Sequence, residues 1–283
     1  MTLAQVLACA GQTGLEPLDA QLLLLHVLGR RHDRAWLYAH DRDPLPAAKE
    51  TEFKALCARR QAGEPVAYLI GEKEFFGLPL QVDRRVLVPR PDTETLVHWA
   101  LELALPADAR VIDLGTGSGA IALALKHERP QWRLGALDAS FEALQVARAN
   151  GQALNLSVDW CQGHWLAESA GPFDLIVSNP PYIADGDEHL PALAHEPRSA
   201  LTAGAQGLDD LRVIIDQAPS RLAAGGWLLL EHGHDQAGAV RDLMRRAGLM
   251  SVQSRRDLAG IERCSGGQKA TTCPKAPGDM EQD

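Results

Sequence analysis

The architecture of this chain follows from one stretch, Val111-Ile112-Asp113-Leu114-Gly115-Thr116-Gly117-Ser118-Gly119. Its first four residues predict a buried strand, and a helix-like run from Ala120 to Lys126 follows the glycines at once. Glycine accepts positive φ angles and lets the backbone approach a ligand closely. A strand, a glycine-rich turn and a helix in this order are typical of the first βα unit of an open α/β sheet that binds a nucleotide-like ligand.

The acids around this turn indicate which ligand it binds. The next strand, Trp132 to Leu137, ends at Asp138, about twenty residues beyond the turn, where a carboxylate reaches ribose hydroxyls. The glycines and Ala120 also fit the G-x-G-x-x-A form of a dinucleotide site, so a nicotinamide oxidoreductase is one alternative. Asp113, however, places a negative charge before the turn, which repels a pyrophosphate and attracts an ammonium group. S-adenosylmethionine has the ammonium and the ribose without a phosphate, so these residues favour a methyl donor.

A second motif, Asn179-Pro180-Pro181-Tyr182, follows the apolar strand Phe173 to Ser178. Two consecutive prolines cannot continue a central strand, and they form a rigid turn at the edge where such sheets bind ligands. The Asn179 side-chain oxygen and the Pro180 carbonyl are acceptors that can hold both N–H groups of a planar amide or an exocyclic amine. Acceptors that favour the pyramidal, electron-rich nitrogen stabilise the transition state of its alkylation. The alternative is an ordinary loop with a Pro-Pro stop.

Together these motifs resemble the class I S-adenosylmethionine-dependent methyltransferases that modify planar nitrogens. Further stretches narrow the resemblance to the PrmC/HemK family of protein-glutamine N5-methyltransferases. They are Val66 to Gly71, Glu74 to Leu78, Pro89-Arg90-Pro91-Asp92-Thr93-Glu94 and Glu196-Pro197-Arg198-Ser199-Ala200-Leu201. The resemblance runs from the amino terminus to about Arg263. It implies that the chain methylates the glutamine of the Gly-Gly-Gln loop in peptide chain release factors, with S-adenosylmethionine as the cofactor.

The motifs and the resemblance together assign roles to individual residues. Cofactor binding is predicted for Asp113, Gly115, Thr116, Gly117, Ser118, Gly119, Asp138, Trp165 and Asn179. Asn179 and Pro180 are the predicted catalytic residues. Substrate contacts are predicted for Asn179, Pro180, Pro181, Tyr182, Glu196 and Arg90. For Arg90 the structural alternative is an ion pair with Glu94 one helical turn later.

Position 164 departs from the family pattern. The family often has Asp before the tryptophan that stacks near the adenine, whereas this chain has His164 before Trp165. The replacement removes an acceptor for the adenine amino group, and His164 itself is expected to be an exposed loop residue.

No metal site is predicted. His232 and His234 form an H-x-H pair, but no third ligand is apparent, and zinc requires three or four. The cysteines are dispersed without a C-x-x-C pair, which favours free thiols in a reducing compartment over a zinc site or a disulfide framework. They are Cys9, Cys57, Cys161, Cys264 and Cys273.

Composition and charge limit the possible partners. A chain of 283 residues has room for one sizeable α/β domain and a smaller unit. Its formal net charge is −9, with 37 acids against 28 Lys and Arg, which disfavours binding to nucleic-acid phosphates. The amino terminus lacks a basic region, and the Leu22 to Leu25 stretch is too short to span a bilayer. We expect a cytoplasmic monomer whose partners are release factors, with no nucleic-acid requirement and no membrane contact.

The predicted domain organisation has four parts. Residues 1–72 show helical periodicity and predict a small helical bundle, which in the resembling family helps to recognise the protein substrate. Residues 73–88 predict a β-hairpin linker. Residues 89–264 predict the methyltransferase domain, an α/β Rossmann-like fold for which the resemblance implies a mostly parallel seven-stranded sheet with helices on both faces. Residues 265–283 are polar and predict a disordered tail.

The predicted tail contains Gly266-Gly267-Gln268, the tripeptide that such an enzyme would modify. Chance occurrence in a glycine-rich tail and self-methylation in trans are the two explanations.

Two other functions remain open. An adenine N6-methyltransferase acting on nucleic acid uses a similar Pro-Pro turn, but the acidic balance and the Pro89 to Glu94 stretch argue against it. A non-catalytic assembly factor that keeps the cofactor fold is disfavoured by the intact Asn179 and the glycine turn.

Overall fold

The computed structural model describes residues 1–30, 33–167 and 169–271. They form two compact units, one of residues 1–88 with 186–198 and one of residues 89–185 with the described residues from 199 onward. Residues 186–198, which the sequence places inside the methyltransferase domain, therefore group with the amino-terminal unit.

The first unit is built from helices followed by an antiparallel hairpin. Its elements are α1 (Leu3–Gln12), α2 (Pro17–Val27), α3 (Arg34–Ala39), α4 (Ala47–Gln61), α5 (Val66–Ile70), β1 (Glu72–Phe75) and β2 (Leu78–Gln81).

Local signals set the ends of these helices. Thr2 and Gln5 form a capping box at the start of α1, each side chain accepting from the other's backbone N–H. Asp33 accepts a hydrogen bond from the backbone N–H of Trp36 at 3.0 Å, as its position before α3 predicts. Gly71 ends α5 with φ 76°, a conformation that glycine adopts readily. The apolar faces of the helices meet in one core that includes Leu3, Val6, Leu23, Leu24, Phe53 and Cys57.

The second unit is a doubly wound α/β domain. Its elements are α6 (Glu94–Glu102), β3 (Arg110–Leu114), α7 (Ala120–Glu128), β4 (Arg133–Asp138), α8 (Phe141–Ala153), β5 (Asp159–Gln162), β6 (Phe173–Ser178), α9 (Asp209–Arg221), β7 (Leu222–Glu231), α10 (Ala237–Arg246), β8 (Met250–Arg256) and β9 (Glu262–Gln268). The strands form a seven-stranded sheet in the order β5-β4-β3-β6-β7-β9-β8. All neighbours pair in parallel except β9, which is antiparallel to β7 and β8. This confirms the predicted mostly parallel sheet.

Helices cover both faces of the sheet, as predicted. On one face, Ile112, Ile176 and Leu228 pack into a core with Ile214 of α9 and Met244 of α10. Helices α6, α7 and α8 contact the strands on the other side. Successive side chains of a strand point to opposite faces of the sheet. Because helices cover both faces, these strands have buried side chains on each face.

Residues 265–268 are not part of a disordered tail; they complete β9, so this prediction is wrong. The strand has little apolar signal because its buried positions hold cysteine, serine and two glycines in place of large apolar side chains. Gly266 is buried, and a Cβ there would lie 2.8 Å from the Trp99 ring and in overlap with Leu229. Large side chains from other elements therefore supply the apolar contact that the strand lacks.

The Gly266-Gly267-Gln268 triplet forms the end of strand β9. Gln268 ends β9 opposite Trp227, and its side-chain amide donates to the Gly225 carbonyl at 2.9 Å. Because this glutamine belongs to a paired strand, the self-methylation hypothesis loses its basis. The predicted disorder of residues 272–283 falls outside the described residues.

Candidate active site

The ends of neighbouring parallel strands bring the two sequence motifs together. Leu114 of β3 pairs with Leu137 of β4 and with Ser178 of β6, which in turn pairs with Leu230 of β7. The residues that follow these positions therefore lie side by side at the carboxyl edge of the sheet. We call them the edge row: Asp138, Gly115, Asn179 and Glu231. Ser178 Oγ also donates to the Leu114 carbonyl at 2.7 Å, which ties the two motif-bearing strands together.

The glycine turn is shaped by close approach of other groups. Gly115 has φ 67°, and a Cβ there would lie 3.3 Å from the Trp165 ring. Gly119 has φ 84° and caps α7, and a Cβ there would lie 3.0 Å from the Trp160 ring. The buried carbonyl of Ser118 accepts from Asn150 Nδ2 at 2.9 Å. These contacts give Gly119 and the backbone of Ser118 packing roles, and the predicted cofactor contacts of both residues stay predictions.

Asp113 lies beneath the turn and is fully buried. Its Oδ2 accepts hydrogen bonds from Thr116 Oγ1 at 2.6 Å and from the backbone N–H of Ala122 at 3.3 Å. Its Oδ1 is buried and has no hydrogen-bond partner among the described residues. Burial raises the pKa of this carboxyl group to about 7. An unpartnered acceptor of this kind fits an incoming cation.

Asp138 is held by backbone N–H groups. Its Oδ2 accepts from Gly117 and its Oδ1 from Ser140, both at 2.9 Å. Burial raises its pKa, and these hydrogen bonds oppose that shift. Each carboxylate oxygen has a second lone pair, so the fixed group can still accept from two vicinal hydroxyls.

Trp165 lies at the glycine turn with its indole fixed by a third element. Trp165 is buried, and its Nε1 donates to Asp210 Oδ1 of α9 at 3.1 Å. His164 is exposed, as predicted, and stacks edge-on against the indole with 5.5 Å between ring centroids. Burial raises the pKa of Asp210, and the hydrogen bond from Trp165 and the nearby His164 oppose that shift. The carboxylate of Asp210 therefore lies near position 164, where the family often has an aspartate and this chain has histidine.

Asn179 occupies the centre of the edge row. Its Nδ2 donates to Thr93 Oγ1 at 3.1 Å, which leaves Oδ1 as the acceptor of the amide. Thr93 comes from the Pro89 to Glu94 stretch, and it is buried at the start of α6. Pro180 and Pro181 are both buried, so the turn after Asn179 is fixed by packing as well as by its ring geometry.

Tyr182 connects the Pro-Pro turn to the end of β7. Its hydroxyl donates to Glu231 Oε1 at 3.3 Å, and its carbonyl accepts from Gln236 Nε2 at 2.9 Å. Glu231 is fully buried, and burial raises its pKa to about 7, with Thr93 among the groups that oppose the shift. Burial also raises the pKa of Tyr182, while the charge of Arg90 lowers it. Arg90 is therefore close enough to act on the motif electrostatically.

Glu196 belongs to the first compact unit. It is buried, and its Oε2 accepts from the backbone N–H of Val88 at 3.0 Å. This bond fixes the 186–198 segment to the end of residues 1–88. Its predicted contact with substrate stays a prediction.

His232, the first histidine of the pair after β7, has a structural explanation. His232 is buried, its Nε2 lies 2.8 Å from Ser265 Oγ, and its Nδ1 lies 2.9 Å from the Gly233 carbonyl. Across the described residues, no three His, Cys, Asp or Glu side chains are grouped so that they could hold a metal ion.

Comparison with known proteins identifies the family. A model described as the PrmC N-terminal domain matches residues 2–71, and the methyltransferase small domain matches residues 93–237. A release factor glutamine methyltransferase of Bordetella pertussis is 52% identical over 262 residues, covering 90% of this chain and 95% of that protein. One of Xylella fastidiosa (strain Temecula1) is 48% identical over 273 residues, covering 95% and 97%. The chain belongs to the PrmC/HemK family.

The fold of this PrmC/HemK member also matches solved structures. A methyltransferase from Pyrococcus furiosus superimposes with a TM-score of 0.56 at 21% identity, covering 75% of this chain and 99% of that one. Because the sequence identity is low, this similarity supports the methyltransferase fold and says nothing about the substrate.

Several site residues of this PrmC/HemK member are not apparent from the motifs. In the sequence Glu231 looks like an ordinary strand end. However, it follows an apolar strand, as Asn179 does, and this shared position is the sequence feature that could have indicated a place at the same edge of the sheet. Thr93 is visible only as part of the Pro89 to Glu94 stretch. Asp210 and Gln236 are placed by helices α9 and α10, and nothing in the sequence relates them to the residues that they contact.

Proposed function

We propose that this chain methylates the side-chain amide nitrogen (N5) of the glutamine in the Gly-Gly-Gln loop of peptide chain release factors, with S-adenosylmethionine as the donor. The supporting observation is the position of Asn179, an oriented amide beside the glycine turn. The similarity to release factor glutamine methyltransferases over nearly the whole chain supports the substrate class.

The residues around the glycine turn fit this donor. Bound S-adenosylmethionine supplies a methyl group on a sulfonium sulfur, and transfer forms the N–C bond as the C–S bond breaks. The unpartnered Oδ1 of Asp113 fits the donor's ammonium group. Asp138 would accept from the ribose hydroxyls, and the fixed indole of Trp165 would line the adenine position. Gly115 and Gly117 would allow the close approach of the donor to the backbone, and Thr116 would hold the Asp113 carboxylate below it.

Asn179 and Pro180 position the reacting nitrogen of the substrate amide. The Asn179 Oδ1 and the Pro180 carbonyl each accept one N–H of the substrate amide, which orients its nitrogen lone pair for the methyl group. The rate enhancement then comes from orientation and from acceptors that bind the electron-rich nitrogen of the transition state best. Pro181 and Tyr182 pack against the amide plane and exclude water. The alkylated amide is acidic, so it loses its proton to solvent as the product leaves the site, and no strong base is required.

The remaining predicted contacts concern the protein substrate. The amino-terminal unit binds the release factor, and Glu196 and Arg90 help to place its loop. The enzyme acts as a monomer, in the cytoplasm and without nucleic acid. Among the described residues, no helix has the length and apolar content that crossing a membrane requires.

The decisive experiment measures radiolabelled methyl incorporation into a purified release factor. The matched control is the same factor with its loop glutamine substituted, and parallel reactions contain ribosomal RNA or DNA. We expect incorporation that depends on the glutamine and disappears in Asn179→Ala, which should keep donor affinity within about threefold because it removes mainly a transition-state contact. Equal labelling of the substituted factor, or labelling of nucleic acid alone, would reject the proposal.

A further inference from the structure

A cavity with two cysteines in its wall lies between α1 and α4 of the first unit. Its volume is about 250 Å³. Cys9 of α1 and Cys57 of α4 both line it, and both are free thiols. Cys9 is exposed, whereas Cys57 is only 8% exposed. The rest of the wall is mostly apolar and includes Val6, Ala10, Phe53 and Ala58. A buried thiol and an accessible thiol therefore share one apolar cavity.

The two helices run in the same direction and place the cysteines at the same height. Near their starts, the amino group of Met1 lies 3.7 Å from Glu50 Oε2. Near their ends, Gln61 Nε2 donates to Thr13 Oγ1 at 2.6 Å and to the Thr13 carbonyl at 3.0 Å. These contacts join residues 49 and 48 positions apart in the sequence, and the two cysteines are also 48 positions apart. Because both helices rise by the same distance per residue, the cysteines lie level with each other.

Packing at this level is compatible with a bond between the two sulfur atoms. Helices α1 and α4 contact each other directly. The axes of packed helices are about 8–10 Å apart and each Cα lies about 2.3 Å from its axis, so facing Cα atoms approach to roughly 3.5–5.5 Å. A disulfide joins Cα atoms about 4.4–6.8 Å apart. Ala10 and Ala58, which follow the two cysteines, have small side chains that allow such an approach.

The different surroundings of the two thiols give them different reactivity. Cys9 is open to solutes, and Lys54, whose positive charge favours a reactive thiolate in its neighbourhood, lines the same cavity. Burial raises the pKa of Cys57 to about 11. Cys57 therefore stays protonated near neutral pH and is the poorer nucleophile of the two. An oxidant from solution should react with Cys9 first.

We propose that Cys9 is a site of oxidation by hydrogen peroxide, and that Cys57 converts the oxidised Cys9 into a disulfide between α1 and α4. In the first step the Cys9 thiolate attacks a peroxide oxygen, the O–O bond breaks, hydroxide leaves and Cys9 becomes a sulfenic acid. In the second step the Cys57 sulfur attacks the Cys9 sulfur, and the S–O bond breaks. The Cys57 proton leaves with that oxygen as water, so two thiols are oxidised while one peroxide is reduced to water.

The bond would tie the first helix of the chain to α4 and close the loop of residues 9–57. A closed loop of this kind restricts the unfolded chain and stabilises the folded unit. The reaction uses neither the methyl donor nor the substrate of methyl transfer, so it is independent of the proposed function. A thiol reductant should reverse it by exchange.

The test treats the full-length protein with hydrogen peroxide, blocks the remaining thiols by alkylation and maps the unreduced peptides by mass spectrometry. We expect a cross-linked pair of peptides that contains Cys9 and Cys57 and has lost two hydrogen atoms. Treatment with dithiothreitol before alkylation should remove the cross-link and return both thiols.

Two substitutions separate the steps of the reaction. Cys57→Ser should leave Cys9 as a sulfenic acid that dimedone labels more strongly than in the wild-type protein. Cys9→Ser should leave Cys57 unmodified, because the buried thiol is not accessible to the oxidant. Cys161→Ser, which removes an exposed thiol from β5 in the second unit, is the matched control and should form the same cross-link as the wild-type protein. Circular dichroism establishes that each variant is folded.

Three results would reject the proposal. One is a wild-type protein in which Cys9 stays reduced at peroxide concentrations that oxidise Cys161. Another is oxidation of Cys9 to a sulfinic or sulfonic acid while Cys57 remains a free thiol. The third is equal dimedone labelling of Cys9 in the wild-type protein and in Cys57→Ser, which would show that Cys57 does not react with the sulfenic acid.

Discussion

Trp165 Nε1 donates a hydrogen bond to Asp210 Oδ1 at 3.1 Å, across 45 residues of sequence. The tryptophan has φ 50°, a left-handed conformation that costs a non-glycine residue about 1 kcal/mol. Its ring nevertheless stays at Gly115, where a Cβ would lie 3.3 Å away. The hydrogen bond to α9 is one of the interactions that hold the indole in this position.

Asp210→Ala should therefore weaken donor binding without unfolding the domain. Loss of the acceptor frees the Trp165 indole, and we expect the Kd for S-adenosylmethionine to rise about tenfold, or about 1.4 kcal/mol. Isothermal titration calorimetry measures the change. Asp216→Ala, which alters an exposed acid on the same helix, is the control and should leave the Kd unchanged. Equal donor affinities in the wild-type protein and in both variants would show that the hydrogen bond to Asp210 is not needed to hold the Trp165 indole in place.

Asp138→Ala should separate donor binding from catalysis. The carboxylate is fixed by Gly117 and Ser140, and charged hydrogen bonds contribute about 1.5–3 kcal/mol each. We expect the Kd for the donor to rise roughly a hundredfold while kcat at saturating donor changes little. Asp159→Ala on the neighbouring strand β5 is an exposed control. A fall in kcat with an unchanged Kd would place Asp138 in the chemistry instead.

Donor affinity should depend on pH through Asp113. Burial raises its folded-state pKa to about 7, and only the ionised form attracts an ammonium group. The affinity should therefore increase as the pH rises, about tenfold between roughly pH 6 and pH 8 from the ionised fraction alone. In the ligand-free protein, the contribution of Asp113 to folding stability changes with pH in the opposite direction. The raised pKa means that the stability from this group is complete below about pH 4 and is lost as the pH rises through about 7.

Asp113→Asn isolates this contribution, because Asn keeps an acceptor for Thr116 and has no charge to titrate. Calorimetry across the pH range should show a flatter affinity profile for the variant than for the wild-type protein. A profile as steep as that of the wild-type protein would assign the dependence to another group.

Much of the second unit could be predicted from the sequence. The strand Val111 to Leu114 and the strand Phe173 to Ser178 are mainly apolar runs that each contain one acid, and turn residues follow both at the carboxyl side. Parallel pairing brings such ends to one edge, so the proximity of Gly115 and Asn179 followed from local patterns.

The partners of these residues could not be predicted in the same way. The contact of Asn179 with Thr93 spans 86 residues, and it depends on how α6 meets the sheet. The position of Glu231 beside Asn179 in the edge row depends on the register between β6 and β7, which the sequence does not specify. Strand β9 could not be predicted for a different reason, since its apolar contacts come from Trp99 and Leu229, and a strand of small residues has no hydrophobic pattern of its own.

Gly266→Ala tests whether the triplet in β9 is retained for packing. A Cβ there would lie 2.8 Å from the Trp99 ring, and Trp99 is fully buried and packed edge-on against Trp227 with 6.5 Å between ring centroids. The indole has little room to move, so we expect a loss of about 1–3 kcal/mol in the free energy of unfolding.

Gly238→Ala provides the matched control for this substitution. Gly238 lies in α10, and a Cβ added there would have nothing within 4 Å, so alanine should stabilise the helix by about 0.5–1 kcal/mol. Thermal denaturation of the two variants should therefore shift Tm in opposite directions, by about 2–4 °C for each kcal/mol in a protein of this size. A stable Gly266→Ala protein would mean that β9 tolerates a side chain, and that contact with Trp99 and Leu229 does not explain the glycine.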